Sequence, residues 1–220
     1  MSIFSVNKVD YEYRSRYQTV KALSDISYDF ESGKFYAIVG RSGSGKTTLL
    51  SLLAGLDLPT GGEIVFDGKA TKDIDRSELR RKEISVIYQN FNLFPLLTAL
   101  ENVMYPMQLN KMPKKEAEDR AKELLLSVGL GEKIFKQFPK MMSGGEQQRV
   151  AVARALATDA KVILADEPTG NLDTENGTKV IGILKALAHE KGKCVIVITH
   201  DEDIAAGADE VLRISDGKRV

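Results

Sequence analysis

Polar residues separate Val9, Tyr11 and Tyr13, and again Ile26, Tyr28 and Phe30. That period of two predicts a pair of half-buried antiparallel strands. Gly33-Lys34 turns the chain into the apolar run Phe35–Val39, which reads as a buried strand. A helical pattern follows, with Leu49, Leu52 and Leu53 on one face. Gly61-Gly62 and Asp67-Gly68 bracket a strand over 63–66, and 84–88 is a short apolar strand ending at Gln89. From 98 to 157 the period lengthens to that of a helix. Thr98-Ala99-Leu100-Glu101 has the spacing of a capping box, and Pro113 opens a charged helix that ends near Gly129. Ser143-Gly144-Gly145-Glu146 repeats the box ahead of Val150, Ala153, Arg154 and Ala157. Apolar strands return at 162–165, Cys194–Ile198 and 211–214, with a helix over 176–190 between the first two.

Strands alternating with helices predict an α/β fold with a parallel sheet. The helical stretch, residues 90–158, then reads as an inserted subdomain. The core would be residues 1–89 and 159–220, with an antiparallel β subdomain near its start, all within one domain. At 220 residues and 43% hydrophobic the chain suits that organisation.

Charge narrows the partners. Lys+Arg and Asp+Glu both number 31, a formal net charge of zero, whereas nucleic-acid binders carry a basic excess. No nucleic-acid partner is expected. Cys194 is the lone cysteine and sits in an apolar run, as a buried small hydrophobe does. No apolar run approaches the ~18 residues of a membrane span. Residues 1–10 lack a basic start followed by an apolar stretch. The expectation is a soluble, cytoplasmic protein that reaches a membrane only through a partner.

The chemistry concentrates between the strand at 35–39 and the next helix. Gly40-Arg41-Ser42-Gly43-Ser44-Gly45-Lys46-Thr47 spells G-x-x-x-x-G-K-T, a phosphate-binding loop in its strand–loop–helix context, with Thr48 next. Its glycines let backbone N–H groups converge on phosphate oxygens, and the helix N-terminus adds positive partial charge. Lys46 can reach the terminal phosphates and the Thr47 hydroxyl can ligate Mg²⁺. A second strand, 162–165, delivers Asp166 and Glu167 at its tip. Adjacent carboxylates repel, and Mg²⁺ beside phosphate gives them a purpose: Asp166 for the metal shell, Glu167 as general base toward water. Ser143, Gly144 and Gly145 form a second glycine-rich helix start and so a second anion cradle. A cradle of that kind can serve a nucleotide held by another copy of the chain.

Together these motifs resemble the ATP-binding-cassette (ABC) ATPases over essentially the whole chain. Gly40 to Thr47 resembles Walker A, and 162–166 resembles Walker B, with Glu167 as catalytic base. Ser143-Gly144-Gly145-Glu146-Gln147 resembles the signature motif, although Met142 and Glu146 stand where the family usually has Leu and Gln. Gln89 resembles the Q-loop glutamine, Asn171-Leu172-Asp173 the D-loop and His200 the switch histidine. The stretches 93–103 and 165–173 look like the subgroup of macrolide exporters, lipoprotein-releasing complexes, peptide-resistance transporters and haem exporters.

The resemblance implies a P-loop NTPase core of ABC type. It implies ATP and Mg²⁺ as cofactors, with Thr47, Gln89 and Asp166 around the metal. Nucleotide contacts would come from Tyr13, Gly40, Ser42, Gly43, Ser44, Gly45, Lys46, Thr47 and Thr48 of one copy and Ser143, Gly144, Gly145 and Asp173 of another. Glu167, His200 and Gln89 would serve hydrolysis. Tyr13 occupies the place of the aromatic that stacks on adenine; Tyr11 and Tyr17 are rivals, and plain packing is the alternative for all three. The partners implied are a second copy when ATP is bound and an integral membrane permease on a separate chain. A cell-division-type ATPase, relaying force without moving a substrate, is the rival reading. A small-molecule kinase leaves the second cradle without a use. Phe91, Phe94, Leu96 and Leu97 either pack inside the helical insert or line a groove for a short helix of the permease.

Overall fold

The computed structural model describes residues 2–220. Two thirteen-residue strands, β1 (Ser2–Arg14) and β2 (Thr19–Glu31), pair antiparallel. Ile3, Phe4, Val6, Val9, Tyr11, Leu23, Ile26 and Phe30 are their buried side chains. β4 (Gly61–Phe66) and β5 (Lys69–Ala70) complete an antiparallel sheet in the order β2-β1-β4-β5. The second sheet contains β3 (Phe35–Val39), β6 (Ile84–Ile87), β7 (Val162–Asp166), β8 (Cys194–Ile198), β9 (Glu210–Ser215) and β10 (Lys218–Arg219). Its order is β10-β9-β3-β8-β7-β6, and every pair is parallel except β9 with β10.

The central strands β3, β7 and β8 are covered on both faces, which is why they read as nearly unbroken apolar runs. Tyr36, Ile38, Leu164, Ile196 and Ile198 share one core with the antiparallel sheet and with α1 (Lys46–Leu53). Phe35, Ile163, Ala165, Val195 and Val197 share the other with α3 (Ala99–Leu109), α4 (Lys114–Ser127), α5 (Gly144–Leu156) and α6 (Thr174–His189). Helices α3, α4 and α5 also pack on one another. Each Val, Leu or Ile buried in these cores contributes ~1.5–3 kcal/mol, so the central strands are rigid platforms for whatever stands on their ends. Among the described residues no helix is long and apolar enough to cross a membrane.

Some boundaries depart from the sequence-based expectation. α6 starts at Thr174 rather than 176, because the Asp173 carboxylate accepts from the Asn176 N–H and caps it. Two short helices, α2 (Arg76–Lys82) and α7 (Glu202–Ala206), and the small strands β5 and β10 are additional.

The topology decides where the chemistry meets. Strands β3, β8, β7 and β6 run side by side and parallel, so their carboxyl ends form one edge. That edge carries, in order, the loop from Gly40, then His200, then Asp166 and Glu167, then Gln89. Open α/β sheets bind ligands at this edge.

Candidate nucleotide site

The loop from Gly40 to Gly45 joins β3 to α1. Gly45 is left-handed at φ 105, and a Cβ there would meet the Ala22 carbonyl oxygen at 2.5 Å. Only glycine fits that position, and it brings the loop against β2. The Lys46 ammonium donates to the carbonyls of Gly40 and Arg41, both at 2.8 Å, which holds its positive charge over the loop. The Ser44 hydroxyl is buried without a hydrogen-bond partner. An orphaned hydroxyl inside a loop of convergent N–H groups fits a phosphate ligand. A cavity of about 270 Å³ opens here, lined by Tyr13, Ala22, Gly43, Gly45, Lys46 and Thr48 among others.

The structure separates the three tyrosines. Tyr13 lines this cavity, is 51% exposed, and its hydroxyl lies 3.1 Å from Thr48 Oγ1. Tyr11 is 8% exposed and donates to Asp57 at 2.6 Å. Tyr17 is 90% exposed, away from the cavity lining, beside Arg16.

Across from the loop, Thr47 Oγ1 donates to Asp166 Oδ2 at 3.2 Å. A hydroxyl beside a carboxylate is a donor pair suited to Mg²⁺, a hard cation that takes oxygen ligands. Burial pushes the Asp166 carboxyl pKa up and the Glu167 charge adds to this, against the bond from Thr47. A divalent cation would relieve both effects.

Glu167 sits one residue past the strand in left-handed backbone, φ 47. For a residue other than glycine this costs ~1–3 kcal/mol and persists only where the surroundings fix it. Here the Glu167 N–H donates to the Ile198 carbonyl at 3.0 Å, and its own carbonyl accepts from Gly170 N–H at 3.2 Å. The turn aims the carboxylate at His200, whose Nδ1 lies 3.1 Å from Glu167 Oε1. His200 reaches it because β8 ends beside β7. The structure thus brings Glu167 and His200 into contact, and likewise Thr47 and Asp166.

Gln89 stands apart. It follows β6 at the sheet border and is exposed, and among the described residues no hydrogen bond joins it to Asp166 or Thr47.

The second cradle is open to solvent. Ser143 caps α5 through its hydroxyl, which accepts from the Glu146 N–H at 3.3 Å. The Glu146 carboxylate accepts from the Ser143 N–H at 2.7 Å and from its hydroxyl at 2.9 Å. Glutamate in place of the usual glutamine therefore completes a capping box. Gly145 backs onto the neighbouring loop: a Cβ there would lie 3.3 Å from the Asn171 carbonyl. Ser143, Gly144 and Asp173 are exposed, and none of the signature residues lines the cavity at the phosphate loop.

Sequence reasoning missed Val20, Lys21 and Ala22, which β2 brings to the cavity wall. Their signal was faint, since a hairpin strand gives no sign of which distant loop it will meet. The apolar cluster after Gln89 divides. Leu96 is 85% exposed and Phe94 40% exposed, whereas Phe91 and Leu97 are half-buried. Phe94 borders a groove of about 300 Å³ with Tyr88, Tyr105, Pro106 and Leu109.

Known proteins resemble this chain along most of its length. The family model described as ABC transporter matches residues 23–170. An uncharacterized ABC transporter ATP-binding protein, YclH of Bacillus subtilis, is 43% identical over 99% of this chain and 95% of its own length. The macrolide export ATP-binding/permease protein MacB of Aggregatibacter actinomycetemcomitans is also 43% identical, over 99% of this chain but 34% of its own length. Among solved structures, the ATP-binding cassette MJ0796 of Methanocaldococcus jannaschii, a dimer in a post-hydrolysis state bound to ADP and Pi, superposes with a TM-score of 0.94. It is 40% identical, covering 98% of this chain and 96% of that one.

Proposed function

This chain belongs to the ABC transporter family as an ATP-binding cassette, and from that premise we propose that two copies close around two ATP molecules and drive a permease carried on a separate chain. The cassette is an ATPase of this family. The observation that carries the reading is the separation of the two cradles. The phosphate loop has its own cavity, while Ser143 and Gly144 face solvent outside it. A second copy can supply what the first lacks.

In each half-site Lys46, Ser44 and the loop N–H groups take the phosphates, and Tyr13 offers its ring to the adenine. Thr47 and Asp166, with Gln89, hold Mg²⁺, which when bound screens the phosphate charge and orients the terminal group. Glu167 accepts the proton of the attacking water, and His200 holds that carboxylate and faces the γ-phosphate. Ser143, Gly144 and Gly145 of the other copy close the site, with its Asp173 at the seam. Gln89 reports the nucleotide across the joint between residues 1–89 and the helical residues 90–158. ATP-driven closing then pulls on the permease, placing the cassette on the inner face of the membrane. The MacB relative, named for macrolide export, supports export as the work done. Extraction of a peptide, lipoprotein, haem or other hydrophobic cargo belongs to the same reading through the subgroup that residues 93–103 and 165–173 resemble.

Two expectations test the parts. Lys46→Ala removes a charge-assisted contact of ~1.5–3 kcal/mol, so ATP affinity measured by calorimetry should fall ~10–10²-fold. Unchanged affinity would make the loop structural. The groove beside Phe94 is the place we assign to a short helix of the permease, with Phe94 as its anchor. Aromatic anchors are worth ~2 kcal/mol or more, so Phe94→Ala should weaken co-purification with a co-expressed permease. Its melting temperature should move by only a few degrees, about what a ~1 kcal/mol change produces in a domain of this size. A steep fall in that temperature would place Phe94 in the core and the docking site elsewhere.

A further inference from the structure

Arg154 lies on α5, the helix that begins at the signature serine, yet its hydrogen bonds go to the turn after Gln89 rather than to the signature residues. It is partly buried, burial pushes its guanidinium pKa down, and among the described residues no carboxylate pairs with it. Its Nη1 donates to the Asn92 carbonyl at 2.6 Å and its Nη2 to the Phe91 carbonyl at 2.8 Å. Both acceptors belong to left-handed residues, φ 58 at Phe91 and φ 48 at Asn92. Two consecutive residues of that kind, one of them bulky, stay in place only when held. The guanidinium also stands 6.0 Å from the Phe94 ring centroid, and that ring is 4.6 Å from Tyr105. From the other side the fully buried Asn102 amide accepts from the Phe94 N–H and donates to the carbonyls of Phe94, Leu97 and Thr98. The Phe91 ring meanwhile lies against Gly144, since a Cβ on that glycine would be 3.8 Å from Phe91 Cζ.

A strained turn, two residues beyond Gln89, is thus pinned by a charge from the signature helix. We propose that Arg154 is a positioning residue: by holding the Phe91-Asn92 turn it sets where Gln89 stands at the nucleotide and ties that placement to α5. The inference rests on the role given to Gln89 above. Arginine suits the task because its rigid planar fork holds two N–H groups in fixed directions toward the two carbonyls, whereas a lysine ammonium is a compact point charge on a flexible stem and fixes no such geometry. A displacement of α5 then pulls on the turn, and the turn carries both Gln89 and the floor of the Phe94 groove.

The test measures steady-state ATP hydrolysis of the full chain as wild type, Gln89→Ala, Arg154→Lys and Asn92→Val. Melting temperature and hydrogen exchange over residues 89–94 are recorded for each. Asn92 is exposed, so a β-branched side chain there strains the turn without entering the core. Arg154→Lys and Asn92→Val should each lower kcat by roughly tenfold or more, within the ~10²-fold that misplacing a group can cost. KM should stay within about twofold, because the phosphate loop is untouched. Exchange should rise over 89–94 and not over β7 or α1. Should Arg154→Lys fail to fold, Asn92→Val carries the test alone. If Gln89→Ala loses kcat while Asn92→Val, or a folded Arg154→Lys, keeps the wild-type value, the inference is wrong and the role of Gln89 stands. If Gln89→Ala keeps the wild-type kcat, the role of Gln89 is wrong and the inference goes with it.

Discussion

Glu167→Gln is expected to bind ATP with undiminished affinity and to hydrolyse it ~10²–10⁴-fold more slowly than the wild type, the loss that follows removal of a general base. The amide has the shape of the carboxylate and still offers an oxygen to His200, so the left-handed turn at φ 47 and the 3.1 Å contact have no reason to change. What disappears is the ability to take a proton from water. The charge next to Asp166 disappears too, and that charge is one of the causes raising the Asp166 carboxyl. Asp166 should therefore ionise more readily in the variant, which favours rather than weakens a metal shell. Turnover near the wild-type rate would remove Glu167 from the role of base.

Ser143→Arg should leave ATP binding by the single chain intact and reduce hydrolysis by at least ~10²–10³-fold, the range for losing a donor that stabilises developing charge. The variant loses the hydroxyl cap of α5, a cost of ~1 kcal/mol against a stability of ~5–15 kcal/mol, so the chain should still fold. Ser143 is exposed and absent from the cavity at Lys46, so a long side chain there blocks only what approaches from outside. Mixed with Lys46→Ala, it should form dimers in which both lesions fall on one composite site and the other is whole. Some activity then returns if a single site can fire alone.

The phosphate loop was legible because its spacing, its preceding strand and its following helix are all local. The buried strands of the parallel sheet were legible for a similar reason, since burial on both faces leaves no polar interruption. β1 and β2 showed only parts of their length. Their register shifts on either side of Val9, and Lys8 and Asp25 adopt left-handed backbone, φ 48 and 54, which breaks the period of two. α2 buries only Leu79 and so shows no stripe, although Asp75 caps it at Ser77 and Glu78. Tyr11 and Tyr13 share a strand face by alternation, and nothing local tells which meets Asp57 and which meets Thr48. Arg154 was invisible as anything but a helical charge. Its acceptors are backbone carbonyls some sixty residues earlier, and carbonyls have no letter in a sequence.

The claim at the centre is that the cradle of one copy completes the site of the other. Light scattering of Glu167→Gln with saturating ATP, beside the double variant Glu167→Gln and Ser143→Arg, tests it most directly. The single variant should move from the mass of one chain, 24.2 kDa, to twice that value when ATP is added. The double variant should stay at one chain while binding ATP equally well. A double variant that dimerises as readily as the single one, or that binds ATP more weakly as a monomer, would show the cradle to be idle or to act within its own chain.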